Sequence, residues 1–212
     1  MGIEDRKERE KQQRKTEILE AAEEIFFLKG LQNTTMNDIA ARCELSKATL
    51  YLYYKSKEEL ALNIMIKHLN IMKDEGRTAA ENAETGYDKI RSAMQSVIFF
   101  HLKNENIFRF IANFDSFLAP DSETGSLAEK CFYAVEEMRL MFIEFYRQGV
   151  KDKSCIAEDD IDQKALMAQH LIISFIQYLA AKGDFIESRT GYSTEKLLES
   201  CLNLILDSIE RK

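Results

Sequence analysis

A chain of 212 residues, 45% hydrophobic and 31% charged, is long enough to bury a core as one large domain or two small ones. No apolar run approaches the about 20 residues that a membrane span requires, and the charged first 20 residues lack the form of a signal peptide, so the expected location is the cytoplasm. The net charge of −7 argues against a nucleic-acid partner, but residues 6–15 carry six cations against two carboxylates and residues 42–57 four against one.

Apolar residues recur at three- and four-residue spacing, strand-like alternation and hairpin dipeptides are missing, and there is a single proline; the chain is expected to be all-α. Residues 1–13 form a charged extension, either disordered or prolonging the first helix. That helix carries Ile18, Ala22, Ile25 and Phe26 on one face and is expected to stop at Gly30, with Leu31 folding back on Phe26. Thr35-x-x-Asp38, Ser46-x-x-Thr49 and Ser56-x-x-Glu59 then mark three helix starts within about 25 residues, the signature of a compact helical unit. Beyond Met72 the polar stretch 74–86 reads as a connection or a frayed helix end. Further helices are expected at about 87–103, 105–118, 126–150, 160–182 and 193–210, with loops at Ala119 to Asp121, Gly149 to Asp159 and Gly183 to Ser193.

Two short helices joined by a tight turn hold the second in a DNA major groove when the first packs across it through small and apolar residues. Ile39, Ala40 and Cys43 supply that inward face, and Leu45, Leu50 and Tyr54 pack the second helix. Lys47, Ala48, Tyr51 and Leu52 then share the outward face by helical spacing. Lys47 suits a phosphate or a guanine edge, Tyr51 a base, and Ala48 and Leu52 thymine methyl groups. Tyr53 and Lys55 lie at the flank. Lys57, just after Ser56, and Thr34 and Thr35 stand at helix starts suited to phosphate. By itself the pattern equally fits a helical hairpin with a solvated basic face.

The string from Ile39 to Leu60, I-A-A-R-C-E-L-S-K-A-T-L-Y-L-Y-Y-K-S-K-E-E-L, resembles the DNA-binding signature of the TetR family. Ile18 to Ala22, Phe26, Gly30 and Thr34-Thr35 resemble the family's first helix. The likeness covers residues 14–62 and implies a three-helix DNA-binding domain there. It further implies an all-α helical-bundle domain over 63–212 for effector binding and dimerisation. Residues 46–54 would form the recognition helix, with Ser46 at its start, Lys47, Thr49, Tyr51 and Leu52 near bases, and Tyr53, Lys57 and Thr34 or Thr35 on phosphate. Glu44 departs from the glycine common in the family's turn; a left-handed backbone there costs about 1 kcal/mol.

The resemblance also implies a homodimer paired through the last two helices, a palindromic double-stranded DNA operator and a small apolar or aromatic effector. Phe99, Phe100, Phe108, Phe114, Phe117, Phe132, Phe142, Tyr146 and Phe175 are the candidate pocket residues, although core filling explains such aromatics equally well. His101 and His170 lie among apolar residues and fit buried core groups. The four scattered cysteines have no zinc spacing, so neither metal nor cofactor is expected. A helical-bundle enzyme is the rival class, but no Glu-x-x-His pair, H-E-x-x-H, phosphate loop or nucleophile elbow occurs. A third reading keeps DNA binding and gives the larger domain a protein partner instead of a ligand.

Overall fold

Helix α1 (Ile3–Lys29) opens the chain and includes the charged extension. The computed structural model describes residues 2–112, 125–157 and 159–211. The following helices are α2 (Met36–Arg42), α3 (Lys47–Tyr51), α4 (Lys57–Ala80), α5 (Gly86–Lys103), α6 (Glu105–Ala112), α7 (Gly125–Asp152), α8 (Ile161–Thr190) and α9 (Thr194–Asp207). An isolated antiparallel bridge joins Cys155 to Glu210. The described residues are thus all-α, as the periodicity requires. None of these helices is long and apolar enough to cross a membrane.

The described residues of Met1–Lys67 and Asn113–Cys131 form one unit, and those of His68–Ala112 and Phe132–Lys212 another. Helix α4 continues unbroken through the 62/63 boundary read from the sequence and contributes residues to both. In the first unit, Ile18, Ala22, Phe26, Ile39, Ala40, Leu50, Leu60 and Ile64 are buried. Burying each of the isoleucine, leucine and phenylalanine side chains contributes about 1.5–3 kcal/mol, which fixes how α1, α2 and α3 pack.

The second unit sharpens one boundary and corrects another. Of the two readings of the polar stretch 74–86, a helix end fits its first part, because α4 runs to Ala80, and a connection fits only the rest. After buried Met72 the inward row of α4 turns small, Gly76 and Ala80, both buried, and a Cβ at Gly76 would meet Met141 Cε at 3.3 Å. Charged residues on the flanks bridge to α7, Lys73 to Glu137 at 2.7 Å and Arg77 to Glu144 at 3.5 Å. The polar character therefore hid a narrow packing face.

Helix α8 likewise runs past the expected stop at Gly183. That glycine is buried, and a Cβ there would lie 2.6 Å from Thr194 Oγ1, so it marks a close crossing with α9 rather than a turn. The helix ends at Gly191, whose φ of 74° and ψ of 4° place it in the left-handed conformation, with its N–H donating to Glu187 O at 2.8 Å. Ser193 then caps α9 by accepting from Lys196 N. The second half of the expected 105–118 helix and the Pro120 loop lie outside the described residues.

Candidate nucleic-acid interface and apolar cleft

The site is built from α2 outward. Thr35 and Asp38 form a reciprocal capping box: Asp38 N donates to Thr35 Oγ1 at 3.2 Å, and Thr35 N to Asp38 Oδ2 at 2.9 Å. Thr35 Oγ1 donates to the same carboxylate at 2.6 Å and Lys29 Nζ at 2.9 Å, and together these donors hold Asp38 well below the usual carboxylate range.

The C-terminus of α2 closes with two bonds of Schellman pattern, Leu45 N to Ala40 O at 2.9 Å and Glu44 N to Ala41 O at 3.2 Å. Glu44 takes the glycine position of that motif with φ of 56°. The turn keeps its usual form and a glutamate bears the strain.

Ser46 caps α3, accepting from Thr49 N at 3.1 Å, and its hydroxyl meets Thr49 Oγ1 at 2.8 Å. Leu50 points inward and is fully buried, whereas Lys47, Ala48, Tyr51 and Leu52 are exposed, Tyr51 by 44% and Leu52 by 79%. Lys47 Nζ lies 5.9 Å from the Tyr51 ring centroid, a cation–π pair at the outer surface. Regular helix stops at Tyr51, and Tyr53 and Tyr54 close the turn by donating their N–H groups to Leu50 O. Tyr54 is buried; its hydroxyl donates to Lys15 O at 3.2 Å, and burial, with Glu59 nearby, pushes its pKa up to about 12. It anchors α3 to α1.

Several residues expected to hold DNA are engaged within the protein. Thr34 is buried, and its hydroxyl donates to Gly30 O at 2.8 Å. Lys57 Nζ donates to three carbonyls, Leu31 O at 2.9 Å, Thr34 O at 3.1 Å and Gln32 O at 3.4 Å. Its ammonium fastens α4 to the α1–α2 loop. The hydroxyls of Thr35, Ser46 and Thr49 serve as caps. The outward surface therefore narrows to Lys47, Ala48, Tyr51 and Leu52, with half-buried Tyr53 at its edge.

In the second unit, Ile90, Met94, Val97, Met138, Phe142 and Ile172 are among the residues lining an apolar cleft of about 60 Å³, with Arg139 and Gln169 also on its wall. Among the described residues, Phe142 alone of the expected pocket aromatics lines it. Phe100, Phe108 and Tyr146 are buried core residues, Phe100 meeting Phe108 edge to face at 6.2 Å and Tyr146 stacking on Phe142 at 6.1 Å. Phe175 is half-buried and stacks on Tyr178, while Phe99 and Phe132 are 57% and 65% exposed and enclose nothing in one chain. Phe114 and Phe117 lie outside the described residues. Aromatic content does not point to the methionines and isoleucines of the lining; the signal for them is the helical spacing of Ile90, Met94 and Val97.

His101 is fully buried, and neither ring nitrogen has a hydrogen-bond partner. His170 is exposed, its Nδ1 lying 2.8 Å from Leu166 O.

A short capped helix laid across its predecessor, with its outer face free, is the geometry of a helix-turn-helix nucleic-acid-binding unit. Residues 18–64 match the family model described as bacterial regulatory proteins, tetR family. A similar sequence is the uncharacterized HTH-type transcriptional regulator YuxN of Bacillus subtilis, 30% identical over 59% of this chain and 41% of its own length. The chain spans about half the length of the first curated relatives it matches, 41% and 58%. Among solved structures, the TetR-family regulator PfmR of Thermus thermophilus has a TM-score of 0.67 at 24% identity, over 92% of this chain and 99% of its own. FadR of B. subtilis, solved in complex with stearoyl-CoA, has a TM-score of 0.67 at 17% identity, over the same shares. Residues 18–64 thus carry the DNA-binding segment of the TetR family of bacterial regulatory proteins.

Proposed function

We propose that this chain is a homodimeric transcriptional repressor that binds a palindromic DNA operator through α3 and is released by an apolar effector of the long-chain acyl type. The observation that carries the DNA part is the exposed face of Lys47, Ala48, Tyr51 and Leu52 on a helix held by the Ser46 cap and buried Leu50. Those four side chains offer a cation, a hydroxyl and two apolar contacts, suited to base edges and thymine methyls.

The dimer rests on α8. Met167, Leu171, Ser174, Tyr178, Ala181 and Phe185 follow one another at alternating four- and three-residue spacing, and all are exposed. An apolar helical seam of that length suits a matching seam on a twin chain. Leu204 on α9 is also exposed.

The effector class is supported by the apolar lining of the cleft and by the fold's likeness to a regulator solved with stearoyl-CoA. At about 60 Å³ the cleft is well below the roughly 300 Å³ of ordinary ligand sites. The effector therefore binds by parting α5 from α7 and α8, and a ligand that prefers the opened state shifts the population away from DNA.

Footprinting of the full chain on DNA flanking its own gene tests the reading. Salt-sensitive protection of an approximate palindrome, lost in Tyr51→Ala and relieved by acyl-CoA, is expected; no protection at low salt would end it. A second reading, recruitment of a protein partner, is favoured by the exposed Phe132 and Tyr133 on α7, whose rings meet edge to face at 6.1 Å. DNA release that ignores acyl-CoA but follows Phe132→Ser would support it.

A further inference from the structure

The first four turns of α1 have no core to bury, and residues 4–17 include no apolar side chain. A helix polar on every side is held by side-chain pairs or by a partner. Pairs are present: Arg6 to Glu10 at 2.8 Å, Arg14 to Glu17 at 2.8 Å and Gln13 to Glu17 at 3.1 Å. These pairs account for both acids that border the groove described next.

The composition of one face is more informative. From Ile18 onward the row Ile18, Ala22 and Ile25 is buried against the rest of the unit. Followed toward the N-terminus at the same spacing, that row becomes Arg14, Lys11 and Lys7. The face that is apolar where protein covers it is cationic where protein does not. Lys7, Lys11 and Arg14, with Glu10, Gln13 and Glu17, border an open groove of about 550 Å³ whose opposite wall is Tyr53, directly after the outward face of α3. Among the described residues no carboxylate pairs with Lys7 or Lys11.

We infer that residues 3–17 of α1 form a second DNA contact, a helical arm whose Lys7 and Lys11 hold the phosphate backbone outside the bases addressed by α3. The inference rests on the DNA-binding reading and extends it to residues that precede the matched family segment 18–64. Charge complementarity selects the occupant: two exposed ammoniums, one helical turn and about 6 Å apart, face the groove that Tyr53 shares. The arm spans about 22 Å, against a DNA helical turn of about 34 Å, so it tracks one flank and carries no base readout.

The test compares the full wild-type chain with Lys7→Ala/Lys11→Ala on a DNA site recovered from a random pool, by salt titration and hydroxyl-radical footprinting. Both side chains are exposed and unpaired, so the variant should melt with the wild type. The slope of log K against log[salt] should fall by about 2 per bound chain, about 4 for the dimer, the outer edge of the footprint should shorten, and the preferred sequence should stay the same. Wild-type binding with an unchanged slope and footprint in the variant would overturn the arm alone. Failure of the wild type to bind any DNA would remove the DNA reading, and the arm with it.

Discussion

Glu44 occupies a backbone conformation that L-residues other than glycine resist, at φ of 56°, while both hydrogen bonds of the turn remain intact. Glu44→Gly is accordingly expected to raise the unfolding free energy by about 1 kcal/mol in a urea titration. An equal or lower midpoint would show that the turn is not strained. Thr35 lies at the other end of the same helix. Thr35→Ala removes both the cap of Asp38 N and a donor to the Asp38 carboxylate, and a loss of about 1 kcal/mol is expected in the same titration. Asp38 also sets an acid limit. Its folded pKa is depressed, so its contribution is complete above the unfolded value of about 3.9 and is lost as pH falls through the folded value. Asp38→Asn should flatten the acid limb of a stability profile below about pH 4.

Between elements, close approach decides the packing. A Cβ on Gly86 would lie 2.1 Å from Gly149 N and 2.3 Å from Phe145 O, both backbone atoms of α7 that no rotamer change can move. Gly86→Ala should destabilise by about 3 kcal/mol, read as a lowered thermal midpoint; a midpoint within a degree of wild type would refute the tight α5–α7 crossing. Where α5 meets α6, His101 stacks edge to face on Phe108 at 4.9 Å without a polar partner. Burial lowers its pKa, Arg109 adds to that, and Glu105 opposes it. The unfolded chain then binds the extra proton as pH falls below about 6.5, so stability declines from there downward. His101→Phe should remove that slope and gain stability most at pH 5.5; a slope that persists in the variant would assign it to another group.

For the molecule as a whole, the proposed dimer and the charge distribution carry the predictions. Tyr178→Glu places a carboxylate in the α8 seam, where an unpaired buried charge is strongly disfavoured. Sedimentation should report monomers, and operator affinity should drop by at least tenfold because one recognition helix no longer positions its twin. A dimer that survives would move the interface elsewhere. With a net charge of −7 and the proposed DNA contacts confined to α1 and α3, the chain should bind its operator with steep salt dependence and show little affinity for a non-specific polyanion such as heparin at physiological salt.

Local chemistry in the sequence determined the helical class, the caps at Thr35, Ser46 and Ser56, and the outward set of Lys47, Ala48, Tyr51 and Leu52. Spacing and short-range hydrogen bonding fix these before any long-range contact forms. The resemblance to the family signature located Glu44 as the departure in the turn. The tertiary structure alone decided what depends on distant partners: that Lys57 meets carbonyls 23 to 26 residues away, that Gly76 and Gly183 are packing positions and not breaks, and that Phe99 and Phe132 face outward. A glycine or a lysine reads the same in sequence whether it ends a helix or joins two. Only the atom lying across from it distinguishes the two roles.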